Sequence, residues 1–275
     1  MNKHVIFLDI DGTLVHQHGE VSLRVKQALQ KVRQNGHYVF LCTGRNQIGI
    51  QQLLPIGFDG VICSAGGYIE IDGKTVFESH IDVKDVQMIR DIFDRNHVLY
   101  NLECNDKVFQ SLEMSHLLFS FEGKSHSEIE RLIEQQRKES FIYSIEEYND
   151  EDIQTICFIA KDMKDIIEPQ NIISQKCQFL IYQRLSNDTI NGEIMKKGIH
   201  KGFGIELVMK ELGLPIENSI GFGDSMNDLQ MIQTCYHGVV MANGDPKLKE
   251  YATTICESVE DDGIFHELYR LGLLR

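Results

Sequence analysis

Short, nearly continuous apolar runs recur along the 275-residue chain as HVIFLDI, YVFLCTG, GVICSAG, SIGFGD, HGVVMANG and TTICES. A strand apolar at almost every position is buried on both faces, the habit of parallel sheets covered by helices. Helical patterns lie between several of these runs. Val21, Val25, Ala28, Leu29 and Val32 fall on one helical stripe, with Ser22 as N-cap and Gly36 as the stop. Further helices are expected from about Lys201 to Leu212, ended by Gly213, and from about Met226 to Thr234. Strands alternating with helices specify an α/β fold, a doubly wound, Rossmann-like parallel sheet. Such sheets bind ligands at the carboxyl ends of their strands.

The middle of the chain has a different pattern. YIEIDGKTVF, residues 68–77, places Asp72-Gly73 between two extended runs, a strong hairpin signal. From about Val83 to Ser186 the order is helix, strand, strand, helix, strand, helix, strand: VKDVQMIRDIFDRN, VLYNLE, KVFQSL, SEIERLIEQQRK, IQTICFIA, MKDIIEPQNIIS and QFLIYQRL. These strands alternate more, so they are expected to be antiparallel with one face solvated. The expected organisation is a core over residues 1–82, an inserted α+β domain over 83–186, and a return to the core over 187–275.

Composition narrows the function classes. The formal charge of -14 argues against nucleic acid or an anionic membrane as partner. It also repels a phosphorylated ligand, so a site for one must carry local positive charge from a metal or a few placed Lys and Arg. No apolar run approaches the roughly 18 residues of a membrane span, and the first is broken by Asp9, unlike a signal peptide. A cytoplasmic protein is expected. The seven cysteines include no C-x-x-C pair and suggest neither a zinc knuckle nor a disulfide framework.

IFLDIDGTLV, residues 6–15, begins as the inside of a protein and then places Asp9 and Asp11 on the same side of an extended chain. Two unit charges about 4 Å apart repel by roughly 4 kcal/mol at an effective dielectric near 20. That is a sizeable share of a net stability of about 5 to 15 kcal/mol. A bound cation or a shared proton could offset it. The structural alternative is that Asp11-Gly12 forms a tight turn after a strand.

The residues at the ends of the other core strands weigh against that alternative. The first run ends in Asp9 and Asp11, the second in Thr43-Gly44-Arg45, and the fourth in Gly223-Asp224-Ser225-Met226-Asn227-Asp228, with Lys201 opening the helix before it. A parallel sheet gathers these segments at one edge, as carboxylates, a lysine, a hydroxyl and glycines that let backbone N–H groups approach a ligand. D-x-D-G-T, T-G-R, K-G and G-D-x-x-N-D, in that order and with a large insert between the second and third, resemble the haloacid dehalogenase superfamily of phosphatases. The insert, after the third strand and its hairpin, resembles the α/β cap of the Cof-type subgroup.

The resemblance implies a Mg²⁺-dependent phosphatase of small phosphorylated metabolites, such as sugar, nucleotide or flavin phosphates. Asp9 would be the nucleophile and form an aspartyl-phosphate. Asp11 would protonate the leaving oxygen and then activate water. Mg²⁺ would be held by Asp9, the Ile10-Asp11 backbone region and Asp224, with Asp228 as an indirect or water-mediated partner. Thr43, Gly44 and Asn227, with the Ile10 backbone, would bind the phosphoryl group, and Lys201 would offset its charge. Closure of the cap over the site is expected to exclude water, and Asn101, Glu103, Asn105 and Gln183 are its candidate substrate-facing residues.

Competing structural readings accompany these roles. Lys201 could be a solvated surface lysine, Arg45 could form only a structural ion pair, and Asp228 could simply cap the helix start. His16 and His18 form an H-x-H without a further ligand at fixed spacing, and Asp261-Asp262-Gly263 has the form of a turn and helix start. Two departures from the family pattern stand out. Ala65-Gly66-Gly67 replaces Asn-Gly-Ala, which weakens substrate assignment, and Met241-Ala242-Asn243-Gly244 replaces Met-Gly-Asn-Ala, a change expected to affect packing more than chemistry. A phosphotransferase such as a sugar phosphomutase would instead give transfer products with alcohols or hexose phosphates. A non-catalytic sensor would bind phosphate esters tightly without turnover.

Overall fold

The computed structural model describes residues 3–16, 20–120, 141–184 and 189–275. The expected helix over 127–138 and His18 lie outside the described residues, as does the side chain of Gln183. The chain divides into two compact units, one of residues 1–44, 50–77 and 200–275, the other of residues 45–49 and 78–199.

The first unit opens with β1 (Val5–Leu8), α1 (Leu23–Gln34), β2 (Tyr38–Cys42) and β3 (Gly60–Cys63). Ser22 starts α1 by accepting the Val25 N–H on Oγ at 3.1 Å, and Val25, Ala28, Leu29 and Val32 form the buried face. The hairpin of β4 (Tyr68–Ile71) and β5 (Lys74–Glu78) turns at Asp72 and Gly73, whose φ values of 49° and 71° are the positive pair a two-residue type I′ turn requires.

Between β3 and β4 the chain makes a tighter turn over Ser64–Gly66, with φ of 48° at Ser64, 50° at Ala65 and 107° at Gly66. Only the glycine adopts this region without steric cost. Exchange of Ala65, whose φ is 50°, for glycine is therefore expected to stabilise the protein. We expect about 0.5–1 kcal/mol, read as a higher urea midpoint at unchanged slope. A lower midpoint would show that the alanine methyl group contributes more by packing than it costs in backbone strain.

The second unit contains α2 (Val83–Arg95), β6 (Leu99–Glu103), β7 (Val108–Gln110), α3 (Leu112–Ser120), β8 (Ile142–Ser144), β9 (Thr155–Ala160), α4 (Lys164–Ile173), β10 (Cys177–Arg184) and β11 (Ile190–Lys196). Its sheet runs β10-β11-β9-β6-β7-β8 and is antiparallel except between β7 and β8. Two expectations are corrected here. The return to the core falls at His200 rather than residue 187, because β11 pairs with both β10 and β9. Alternation in the sequence predicts one solvated face for this sheet, yet every residue of β9 is buried. Ile156, Phe158 and Ala160 pack with Val86, Ile89 and Phe93 of α2, while Cys157 and Ile159 pack with Met114 and Leu118 of α3.

The chain returns to the first unit through α5 (Lys201–Glu211), β12 (Ser219–Gly223), α6 (Leu229–Thr234), β13 (His237–Met241), α7 (Pro246–Lys249), β14 (Thr254–Cys256) and α8 (Gly263–Arg270). The single helix expected from Met226 splits into a 3₁₀ turn, Met226–Asp228, followed by α6, because Asp228 turns its side chain back onto the N–H groups of Asp224 and Ser225 just before the turn. The sheet order is β14-β13-β12-β1-β2-β3-β4-β5, parallel from β14 to β3. Leu8 of β1 is in register with Leu41 of β2 and Phe222 of β12, so these strands end level with one another. From β1 the chain order proceeds outward through β2 and β3 on one side and β12, β13 and β14 on the other. The β1/β12 junction is thus the topological switch point, where a ligand crevice is expected.

Candidate active site

Asp9 directly follows β1 and stays tied to the sheet, donating its backbone N–H to the Phe222 carbonyl at 3.0 Å. Asp224 follows β12, and Asp228 closes the 3₁₀ turn beyond it. Each of the three carboxylates places an oxygen within 4.8 Å of the others. All are buried, at 4%, 7% and 0% exposure for Asp9, Asp224 and Asp228. Lys201 Nζ, 1% exposed, donates to Asp9 Oδ1 at 2.7 Å and to Asp228 Oδ1 at 2.6 Å.

Local chemistry explains each placement. Lys201 is the first residue of α5, whose N-cap is His200; its Nδ1 accepts the Phe203 N–H at 3.0 Å. Burial lowers the His200 pKa, favouring the neutral ring that can act as acceptor. Asp228 uses its second oxygen, Oδ2, to accept the N–H groups of Asp224 at 2.9 Å and Ser225 at 3.2 Å. The capping role and the contact with Lys201 thus belong to two oxygens of one carboxylate. Gly12 has φ +81°, and a Cβ there would lie 2.5 Å from Asp224 Oδ2, so only glycine lets the first loop approach the fourth this closely. Thr13 Oγ1 donates to Asp224 Oδ1 at 3.3 Å from the same loop.

Three carboxylates share one ammonium, so with all four groups ionised the cluster holds two negative charges in excess. Burial, together with Asp228, pushes the Asp9 pKa up, and burial with Asp9 and Asp228 does the same to Asp224. Burial opposes the charge on Lys201, but Asp228 and Asp9 outweigh it and hold that pKa above its usual value. A buried excess charge of this sign is costly unless protonated or met by a cation. Clustered carboxylate oxygens suit a hard divalent ion, so the residues present fit the metal that the motifs imply.

Residues 6–268 match the family model of haloacid dehalogenase-like hydrolases. The chain belongs to that family. A relative, 5-amino-6-(5-phospho-D-ribitylamino)uracil phosphatase YitU of Bacillus subtilis, is 26% identical, with 95% of this chain and 94% of YitU covered. A haloacid dehalogenase-like hydrolase from B. subtilis shares the fold at a TM-score of 0.82 and 21% identity, covering 98% of this chain and 99% of its own. A subclass IIB sugar phosphatase of the superfamily does so at 0.78 and 20%, covering 98% and 100%.

In this hydrolase the remaining candidates fall into place around the cluster or away from it. Asp11 is half-buried in the loop after Asp9, and its carboxylate is outside the cluster of three. Ile10 is fully buried in the core, and its carbonyl accepts the N–H groups of Thr13, Leu14 and Val15. Thr43 is buried after β2, where its N–H is held by the Ile62 carbonyl at 2.9 Å, and Gly44 follows it. Asn227 Oδ1 accepts from Ser225 Oγ at 2.6 Å beside Asp228.

Arg45 is buried and donates from Nη1 to the Gly49 carbonyl at 3.0 Å, within the short segment that groups with the second unit. His16 is not drawn into the cluster; it pairs with Glu260 at 2.8 Å. Asp262 adopts a left-handed φ of 55° between another 3₁₀ turn, Val259–Asp261, and α8. In the second unit Asn101 and Glu103 are buried on β6, and Asn105 donates to Glu78 at 2.5 Å. Sequence reading gave no role at the site to two residues that hold its loops in place. His200 carries no usual cap signature, since Ser, Thr, Asp and Asn lead at that position. Asn243 reaches the Gly12 carbonyl across 231 residues of sequence, a distance at which no local pattern signals contact.

Proposed function

We propose that this hydrolase is a Mg²⁺-dependent phosphomonoesterase of small phosphorylated metabolites, acting through an aspartyl-phosphate on Asp9. The observation that carries this reading is the buried Lys201 shared between Asp9 and Asp228, with Asp224 alongside. YitU acts on a phosphorylated ribitylamino-uracil, a substrate within the proposed class of sugar, nucleotide and flavin-like phosphates.

Lys201 engages Asp9 Oδ1, which leaves Oδ2 to attack phosphorus. The phosphorus–ester oxygen bond breaks as the Asp9 oxygen–phosphorus bond forms, and Asp11 gives its proton to the departing oxygen. The Asp11 carboxylate then takes a proton from water, which attacks the same phosphorus, releasing phosphate and restoring ionised Asp9. Thr43, Gly44 and Asn227 hold the non-bridging oxygens, and Lys201 meets the charge that develops on them. Mg²⁺, held by Asp9, the backbone beside Asp11 and Asp224, with Asp228 behind them, would neutralise charge on the phosphoryl group.

The test is phosphate release from 4-nitrophenyl phosphate after chelation and after restoring Mg²⁺, with the melting temperature followed in parallel. Chelation should lower the rate about 100-fold or more, and Mg²⁺ should restore it and raise the melting temperature by binding the folded state. A rate indifferent to chelation, with no thermal shift, would overturn the metal assignment.

A further inference from the structure

The loop after β13, Ala242-Asn243-Gly244-Asp245, is bonded through Asn243 and Asp245 to three other segments of the chain. Asn243 Nδ2 donates to the Gly12 carbonyl at 2.8 Å, and Asn243 Oδ1 accepts the Val259 N–H at 2.9 Å. Two residues on, the Asp245 N–H donates to the Asp224 carbonyl at 2.7 Å. One loop thus holds the backbone of both carboxylate-bearing loops, the one with Asp11-Gly12 and the one with Asp224. Gly244 keeps that loop close, since a Cβ there would lie 2.7 Å from the Asp224 carbonyl oxygen.

We infer that Asn243 is a positioning residue for Asp11, fixing the peptide that follows it and so the direction of its carboxyl group. Gly12 gives the Asp11-Gly12-Thr13 segment its freedom to turn, and freedom without restraint would let the Asp11 carboxyl group swing. Three further ties of the segment are long: Thr13 Oγ1 to Asp224 Oδ1, the Gly12 N–H to the Val15 carbonyl and the Thr13 N–H to the Ile10 carbonyl are each 3.3 Å. The 2.8 Å amide contact at Gly12 supplies the shorter restraint, and its other end is anchored to the backbone at Val259. The side chain is exposed, so its loss leaves no cavity in the core.

This inference rests on the proposed role of Asp11 as the acid for the leaving oxygen, and a leaving-group series separates the two. The value of kcat/KM reports steps up to departure of the leaving group and is unaffected by the later attack of water. It would be measured for 4-nitrophenyl phosphate, whose leaving group needs little protonation, and for phenyl phosphate, whose leaving group needs more. Asp11→Asn should lose much more on phenyl than on 4-nitrophenyl phosphate. Asn243→Leu should show the same discrimination to a smaller degree, about tenfold. Asn243→Ser, milder in volume, should fall between it and the wild type, and melting temperatures should stay within a few degrees of wild type for both.

Equal losses on both esters in the Asn243 variants, beside a discriminating Asp11→Asn, would overturn the inference and leave the function intact. An Asp11→Asn variant that does not discriminate would overturn the Asp11 assignment, and the role of Asn243 with it.

Discussion

Asp9→Asn should abolish phosphate release, lowering kcat by about 10⁴-fold or more, because the amide oxygen is too weak a nucleophile to displace an ester oxygen. The fold should survive. The substitution is nearly isosteric, and it removes a buried carboxylate whose ionised form burial disfavours. Lys201 would keep its 2.6 Å contact with Asp228. The melting temperature should therefore stay near that of the wild type while turnover disappears. Wild-type release by a folded Asp9→Asn protein would rule out the aspartyl-phosphate route.

Lys201→Met should show the opposite balance, a large effect on stability as well as on rate. Lys201 is the ammonium engaged by Asp9 and Asp228, and both contacts are buried. Removing one partner of a buried ionic group leaves uncompensated charge and costs about 3–5 kcal/mol. Denaturant unfolding without metal should show a loss of that size, and Mg²⁺ should recover part of it by meeting the orphaned carboxylates. Adding Asp228→Asn should also recover stability, since it removes one of the charges left behind. A Lys201→Met protein as stable as the wild type would mean that the carboxylates are held protonated in the absence of metal. The buried lysine would then contribute to catalysis alone.

The two variants separate what the cluster does from what it costs. Asp9 is held in place by the sheet through its N–H, so its geometry survives loss of charge. Lys201 is held at the start of α5 by a cap on His200 and glycines that let the helix approach closely, so its side chain is committed to the cluster before any ligand arrives. In the proposed reaction, such preorganisation would spare Asp9 and Lys201 from reorienting as charge develops.

Much of this was legible in sequence, and the reasons differ by element. The buried parallel strands announced themselves because a strand covered on both faces is apolar throughout, as in β1 and β12. The hairpin at Asp72-Gly73 was legible because its two-residue turn needs positive φ at both positions. By contrast β11, with Ile190 and Ile194 alternating against Asn191 and Glu193, escapes a sequence reading although its period of two is present. Its hydrogen-bond partners β9 and β10 decide its place, and pairing is a long-range choice. The burial of both faces of β9 is hidden for a related reason: α3 covers one face, and no strand records in its own sequence which helix will pack on it.

At the site, the sequence by itself determined which chemical groups stand at the end of which strand: Asp9 and Asp11 after the first, Thr43 after the second, Asp224 and Asp228 after β12. That comes from local propensity and from the rule that parallel strands present their carboxyl ends together. Only the tertiary structure decided that Lys201 would lie between Asp9 and Asp228, that His16 would turn to Glu260, and that Asn243 would hold the Gly12 carbonyl. Those contacts join residues far apart in the chain. Angstrom-scale distances between such residues depend on strand register, helix approach and side-chain direction, and local sequence encodes none of these pair by pair.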